Sequence, residues 1–469
     1  MASLSFPPGL PVAEARPLGR GLRSTLRRRD QAELRPLDRD PVAILESQHA
    51  TRLTHLVPIR IGRMLQSPFA YYRGTAAVMA ADLADAPRTD HHVVICGDAH
   101  IANFGLFASP ERRVLFDLND FDEVSVGPWE WDVKRMATSV VLAGRGMGMS
   151  EAEVAEATRQ SVSGYRQVIA GMTERSVLER YFFQVETDWL KAQASAEALK
   201  VLRRTVKGAT RRTSERALDR ITTTDAGGTR IIDDQPPLMT HIDHFTVPEL
   251  VDLGTQYLRT LRADVALLVV QLRLTDYALR VVGVGSVGTR CYIVLLLGPA
   301  GEPLFLQVKE AERSVVQTYG GMPPAVPPGI HDRDLGRQGY RVVTGQRILQ
   351  AQSDPFLGWV TGATPEPDGD HRPVDFYWRQ FRDMKGSVDI ATLRPPEFAQ
   401  YAGLCGALLA RAHSQSPHPA ILDAYLGRSD AFDQAIVAWS SRYADQVERD
   451  FAVLEHAVAS GRLPAERGV

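Results

Sequence analysis

Residues 92–123 read HVVICGDAHIANFGLFASPERRVLFDLNDFDE. Two short apolar runs, Val93-Val94-Ile95-Cys96 and Val114-Leu115-Phe116, are too short for helices and rich in β-branched or aromatic residues, so each predicts a buried strand. Just past the strand ends stand Asp98, His100, Asn103, Asp117, Asn119, Asp120, Asp122 and Glu123. Acids placed there cost free energy unless they are paired, hydrogen-bonded or bound to a cation. Asp98 and Asn103, five residues apart on one loop, can bring a carboxylate and an amide oxygen into one small space. Asp120, on the next loop, can add a second carboxylate. These are hard oxygen ligands, the kind Mg²⁺ takes when it also holds phosphates. The stretch points to phosphoryl transfer.

The whole chain sets limits around that reading. With 469 residues it exceeds one ordinary domain and can bury a large core. A net charge of -2 gives no global basic field, so wholesale binding to nucleic acid or to a membrane surface is not expected. No apolar run reaches the roughly 18 residues of a membrane span. Cys96, Cys291 and Cys405 lie far apart in apolar segments, without C-x-x-C spacing, and predict buried thiols in a reducing cytoplasm. Neither zinc-ligand spacing nor a G-x-S-x-G nucleophile motif is present. The first forty residues are rich in Pro, Gly and Arg and lack the apolar core of a secretory signal; they predict a solvated, disordered tail over 1–40.

Residues 41–277 read as a helical lobe carrying the acidic loops. Helices are expected over 41–91 with a turn at Ser67-Pro68, and again from Trp131 to about Val201. Residues 202–235 are polar and basic, include the loop-like Asp225-Ala226-Gly227-Gly228, and predict a surface excursion. Leu258, Leu261, Val265, Leu268 and Leu272 mark an apolar stripe on a helix over 247–279. The texture then changes. Residues 278–311 predict three strands joined by glycine turns, followed by a Pro/Gly loop at 322–329, a helix near 334–352 and a further strand pair, so that 278–395 forms a sheet unit. Residues 396–469 return to helix and are expected to pack on the helical lobe.

Within the sheet unit, Gly283-x-Gly285-x-x-Gly288 matches G-x-G-x-x-G. A dinucleotide fingerprint must run from strand into helix. Here Thr289-Arg290-Cys291-Tyr292-Ile293-Val294 continues as a strand. Strand, glycine loop, strand is the arrangement that covers ATP phosphates in kinases, although an isolated glycine hairpin can be purely structural. Twenty-one residues after Gly288, Lys309 ends the alternating strand Pro303–Lys309, where it can contact phosphate.

GDAHIAN resembles the G-D-x-x-x-x-N catalytic loop of the aminoglycoside and choline kinase branch of the protein-kinase-like superfamily. That resemblance places Asp98 on the catalytic Asp and Asn103 on the metal-holding Asn. Asp120-Phe121-Asp122 falls on the second metal-binding Asp, with Asp122 as a neighbouring candidate ligand. Asp132, in WEWDVKR, falls on an acid that braces the catalytic loop. Gly283, Gly285, Gly288 and Lys309 fall on the nucleotide-binding elements. The implied fold is α+β with two lobes, but the glycine loop and lysine follow the catalytic loop by about 185 residues instead of preceding it. The resemblance therefore implies a circular permutation. Either GALLARAH near residue 410 or YYRGTAAVMAADLAD stands for the helix before the catalytic loop. No glutamate to pair with Lys309 is evident in the following helix; Glu310, Glu312 and Gln346 are the nearby groups. Over most of the chain, RMLQSPFAYYRG, CGDAHIANFG, FDLNDFDE, GPWEWDVKR and LQVKEA look like the bacterial family known as domain of unknown function 2252, a name that supplies no reaction.

The expectation is an ATP- and Mg²⁺- (or Mn²⁺-) dependent cytoplasmic phosphotransferase acting on a hydroxyl or amino group of a small molecule. Transfer of AMP to a protein acceptor and a non-catalytic nucleotide-binding module are the alternatives. Asp98, Asn103 and His100 are the catalytic candidates, His100 as a loop brace or γ-phosphate neighbour. Asp-x-His also opens the metallophosphoesterase signature, but the other two-metal blocks are missing. Arg73, Arg379, Arg382 and Lys385 could meet an anion, with surface or salt-bridge roles as the simpler reading. Trp129 and Trp131 are expected to pack around Asp132, and Asp117 to cap.

Overall fold

In the computed structural model, residues 9–193, 196–224, 230–242, 245–324, 336–365, 371–381 and 384–469 are described. The acidic loops grow from two antiparallel pairs. β1 (His92–Ile95) pairs with β4 (Ser125–Pro128), and β2 (Phe104–Ala108) pairs with β3 (Val114–Leu118). Val93, Val94, Ile95, Leu115 and Phe116 are all buried, so both apolar runs form the predicted strands. A second hairpin joins β5 (Thr222–Thr224) to β6 (Arg230–Ile232).

The larger sheet is antiparallel throughout, in the order β11-β12-β10-β9-β8-β7. Its members are β7 (Met239–Thr240), β8 (Arg273–Arg280), β9 (Cys291–Leu297), β10 (Pro303–Glu310), β11 (Gly358–Pro365) and β12 (His371–Gln380). Side chains alternate between faces along a strand. On β10, Leu304, Leu306 and Val308 join Val294, Phe376 and Tyr257 in one apolar core. Phe305 points the other way, into a core with Ile293, Leu295 and Phe381. Lys309 shares the parity of Phe305 and emerges on the face that meets the acidic loops.

Helices supply the rest of the core. The Glu151–Thr173 and Pro395–His413 helices approach closely because Gly406 sits against the Ser161 carbonyl, a place a Cβ could not occupy. Trp129, at the start of the Trp129–Gly146 helix, stacks on Tyr165 and packs on Tyr425 and Phe432. It donates its indole N–H to Thr89, so the expected core role holds. Among the described residues, no helix is long and apolar enough to cross a membrane.

Three expectations need correction. The first forty residues are not a tail throughout: Val12–Thr25 is helical, and its small residues Ala15 and Gly19 form a flat face against the Pro419–Leu426 helix. Gln31, buried, then donates to the Tyr425 hydroxyl at 3.1 Å. The helix expected over 247–279 ends early, as Val247–Thr260 and Ala263–Val269, and residues 273–280 become β8. The sheet thus begins at Met239, upstream of 278. The excursion at 202–235 carries the Ser214–Ile221 helix and the β5–β6 hairpin, with Ala217 and Ile221 buried against the sheet; residues 225–229, which include Asp225-Ala226-Gly227-Gly228, lie outside the described residues. So do most of the loop at 322–329 and Arg382.

Candidate active site

The loop after β1 is held from beneath. Gly97 has a φ of 78°, and a Cβ there would collide with the Glu123 carbonyl, so glycine alone lets the chain turn into Asp98. The Asp132 carboxylate, buried, accepts the N–H groups of Cys96 at 2.7 Å and Gly97 at 2.9 Å. His413 Nε2 lies 3.2 Å from the same carboxylate, and the Tyr165 hydroxyl lies 2.8 Å from His413 Nδ1. Farther along, Ile101 donates its N–H to Ser139 and accepts from the Tyr401 hydroxyl. Asn103 Nδ2 donates to the Asp98 carbonyl at 2.7 Å, which leaves the amide oxygen as the atom available to a cation.

Charge is crowded here. Arg135 Nε donates to Asp98 Oδ1 at 2.7 Å while its guanidinium stacks on Tyr72. Burial nevertheless pushes the Asp98 carboxyl up to about 6; Arg135 opposes the rise and Asp120 adds to it. Burial likewise takes Glu123 up to about 7, against the N–H of Val315 and the charge of Arg341, with Asp122 and Asp98 adding to the rise. His100 is buried, its Nε2 3.9 Å from Asp98 Oδ2, and burial followed by Arg73 and Arg135 keeps the imidazole neutral. Asp117 accepts from the N–H groups of Leu118 and Ala351.

Two strands of the sheet meet these loops at Asp122. Lys309 Nζ lies 2.5 Å from Asp122 Oδ2, and the Tyr377 hydroxyl donates to Asp122 Oδ1 at 2.6 Å. Lys309 and Tyr377 are directly opposite on β10 and β12, which is why both reach one carboxylate. Burial alone would raise Asp122; Lys309 and Tyr377 hold it below the usual range. Asp122 is therefore the acid that faces the lysine, and both its oxygens are engaged. Glu310 instead pairs with Arg290 and Arg372, and Gln346 donates to Gln350.

Between the loops and the sheet lies a cavity of about 110 Å³. Asp98, His100, Asn103, Asp120, Asp122 and Glu123 form one wall, and Gly283 and Gly285 belong to its lining. Gly288 packs against the side chain of Arg52, and its carbonyl accepts the Leu53 N–H at 2.8 Å. The glycine loop is strapped at its other end too, where Arg63 donates to the Gly283 carbonyl at 2.6 Å. Whole small-molecule sites measure roughly 300–1,000 Å³. This chamber is smaller than that range. Among the described residues, no group of three or more His, Cys, Asp and Glu is arranged for a metal ion. Asn103 and Asp120 both line the cavity.

Several residues escaped sequence reading. Arg135 could have been found, since it stands one helical turn after Asp132 and shares its face. Arg52 and Arg60 carried no motif. Lys385, read as a surface cation, is half-buried, and burial together with Arg379 pushes it down to about 7.

No curated protein and no solved structure matches the chain. The family described as uncharacterized protein conserved in bacteria (DUF2252) matches residues 52–457, and the chain belongs to that family.

Proposed function

We propose that the protein is an ATP- and Mg²⁺-dependent phosphotransferase whose kinase-like elements are circularly permuted. The observation that carries this is the Lys309–Asp122 contact, which joins positions 187 residues apart and brings the glycine hairpin, the lysine strand and the acidic loops to one cavity. Counted from the glycine hairpin, β8 and β9 flank the loop and Lys309 lies on the third strand, as in protein kinases. The bond from His413 to Asp132 supports the Pro395–His413 helix as the one that precedes the catalytic loop in space. Asp122 provides the lysine with an acid from the loops, where ordinary kinases use a helix glutamate.

In this reading Asp98 takes the proton of the acceptor hydroxyl as that oxygen bonds to the terminal phosphorus of ATP. The bond from that phosphorus to its bridging oxygen breaks, and ADP leaves. With its carboxyl at about 6, Asp98 is ionised near neutral pH yet basic enough to take a proton. Arg135 orients it. Asn103 and Asp120 would hold Mg²⁺, which supplies charge neutralisation on the phosphates. Positioning and electrostatics carry most of the rate in such transfers.

ATP consumption with a pool of hydroxylated and amino metabolites, read by mass, tests the reading. Transfer gives ADP and a product heavier by one phosphoryl group; AMP added to a protein would favour the alternative. Asp98→Asn, whose amide oxygen can still accept from Arg135, should leave the fold intact and cut transfer by about 10²–10⁴-fold. Full activity in that variant would exclude the mechanism.

A further inference from the structure

The cavity has a second wall that the phosphotransferase reading does not use. Arg52, Arg60 and Arg73, all from the helical segment strapped to the glycine loop, line it. Arg60 is 0% exposed and Arg52 9%. Arg60 donates from NH2 to Gln48 and the Gly74 carbonyl, but its Nε and NH1 have no protein partner among the described residues. Arg52 donates from NH1 to the Val287 carbonyl, and its Nε is likewise unpartnered, as is the buried Nε of Arg73.

Three of the acids that line the cavity are already paired elsewhere. Asp98 is bound to Arg135, Asp122 to Lys309, and Glu310 to Arg290 and Arg372. Burial is the largest influence on all three arginines and disfavours their charge, and Arg52 disfavours it further on Arg60. Glu312, Glu123 and Glu310 oppose this at Arg52, Glu312 at Arg60, and Asp98 and Asp120 at Arg73. None of these acids forms an ion pair with the three arginines among the described residues, so the wall holds clustered, desolvated cations. Guanidinium groups do not neutralise by losing a proton at ordinary pH. Such a cluster is costly unless something negative completes it. Planar forks of N–H donors match the oxygens of phosphate. Asn103 and Asp120 line the same cavity as the three arginines.

We propose that Arg52, Arg60 and Arg73 form a phosphate-binding subsite roofed by the glycine loop at Gly283–Gly285. The phosphate comes either from the nucleotide or from a phosphorylated acceptor. The subsite itself stands on the arginines; what its occupant does rests on the phosphotransferase reading.

The test is calorimetric titration of the full chain with inorganic tripolyphosphate in the absence of Mg²⁺, then with ATP and Mg²⁺. Arg73→Gln, half-buried and therefore compatible with folding, is the principal variant, with Arg60→Gln as the second and Arg159→Gln on the distant surface as control. The unaltered chain should bind tripolyphosphate. Arg73→Gln should weaken it tenfold or more, and Arg159→Gln should not. An equal loss of ATP–Mg²⁺ affinity in Arg73→Gln assigns the phosphate to the nucleotide; unchanged ATP–Mg²⁺ affinity assigns it to the acceptor. No binding of tripolyphosphate by the folded chain, or equal binding by Arg73→Gln, overturns the subsite. Arginine-dependent tripolyphosphate binding without any ATP–Mg²⁺ binding would keep the subsite and remove the phosphotransferase reading.

Discussion

The two sides of the cavity are built on different principles. The loop side is fixed from below: Asp132 holds the N–H groups of Cys96 and Gly97, Ser139 and Tyr401 hold Ile101, and Arg135 holds Asp98. The sheet side reaches that loop cluster through Lys309 and Tyr377 on Asp122, whose side chain is 26% exposed, and through Ser314, Val315 and Arg341, which donate to Glu123 and the Val124 carbonyl. One side is a preformed platform, since buried and fully satisfied networks have a single low-energy arrangement. The other adds an ionic latch, Lys309 on Asp122. The platform should therefore answer to mutation through stability, and the latch through ligand response.

Asp132→Ala gives the largest expected effect. It strips two buried N–H groups and His413 of their partner at once, and should cost about 3–5 kcal/mol in denaturant unfolding. A loss under about 1 kcal/mol would show that the loop is not held by this acid.

Lys309→Met comes next. It keeps length and apolar packing but leaves Asp122 with Tyr377 alone, at about 1–3 kcal/mol. Because the latch is also the proposed phosphate contact, the same variant should lose ATP affinity; retained affinity would separate Lys309 from the nucleotide.

A pH series separates the sides further. Folded Asp98 and Glu123 hold their protons up to about 6 and about 7, above the ordinary carboxylate range, so the folded state binds more protons than the unfolded one between about pH 4 and 7. Their contribution to stability is thus present at low pH and falls as pH rises through that window. Asp98→Asn should gain stability relative to the unaltered chain as pH rises from about 4 to 6, read as the difference between two unfolding curves. A constant difference would mean that Asp98 is not strained by burial.

Tyr377→Phe is the smallest: one hydrogen bond to a carboxylate already held by Lys309, or about 1 kcal/mol. A larger loss would make Tyr377, and not Lys309, the principal arm of the latch.

What could be read from the chain follows the same division. Asp98, Asn103 and Asp120 were legible because loop and strands are local, within 32 residues that alternate apolar runs with acids. Asp132 was legible by its distance from them. The partner of Lys309 was not, because Asp122 is 187 residues away and nothing in local spacing ties the two together. Lys309 itself could be singled out, since a lysine ending an apolar strand is conspicuous. The arginine wall left no pattern, as Arg52, Arg60 and Arg73 are isolated positions that meet only when the glycine loop folds onto them. At 273–280 the leucine stripe of the preceding helix ran on to Leu272, and the strand was hidden by its continuation. In the N-terminal segment, Pro and Arg content masked the Ala15–Gly19 face.

If platform and latch share one nucleotide–metal site, as proposed, calorimetry of ATP binding with and without Mg²⁺ will show it. In the unaltered chain Mg²⁺ should tighten ATP binding, because a hard dication bridges carboxylate and phosphate oxygens. In Asp120→Ala that metal dependence should vanish while binding to the sheet side persists. Identical ATP affinities in both proteins, with and without metal, would contradict the account.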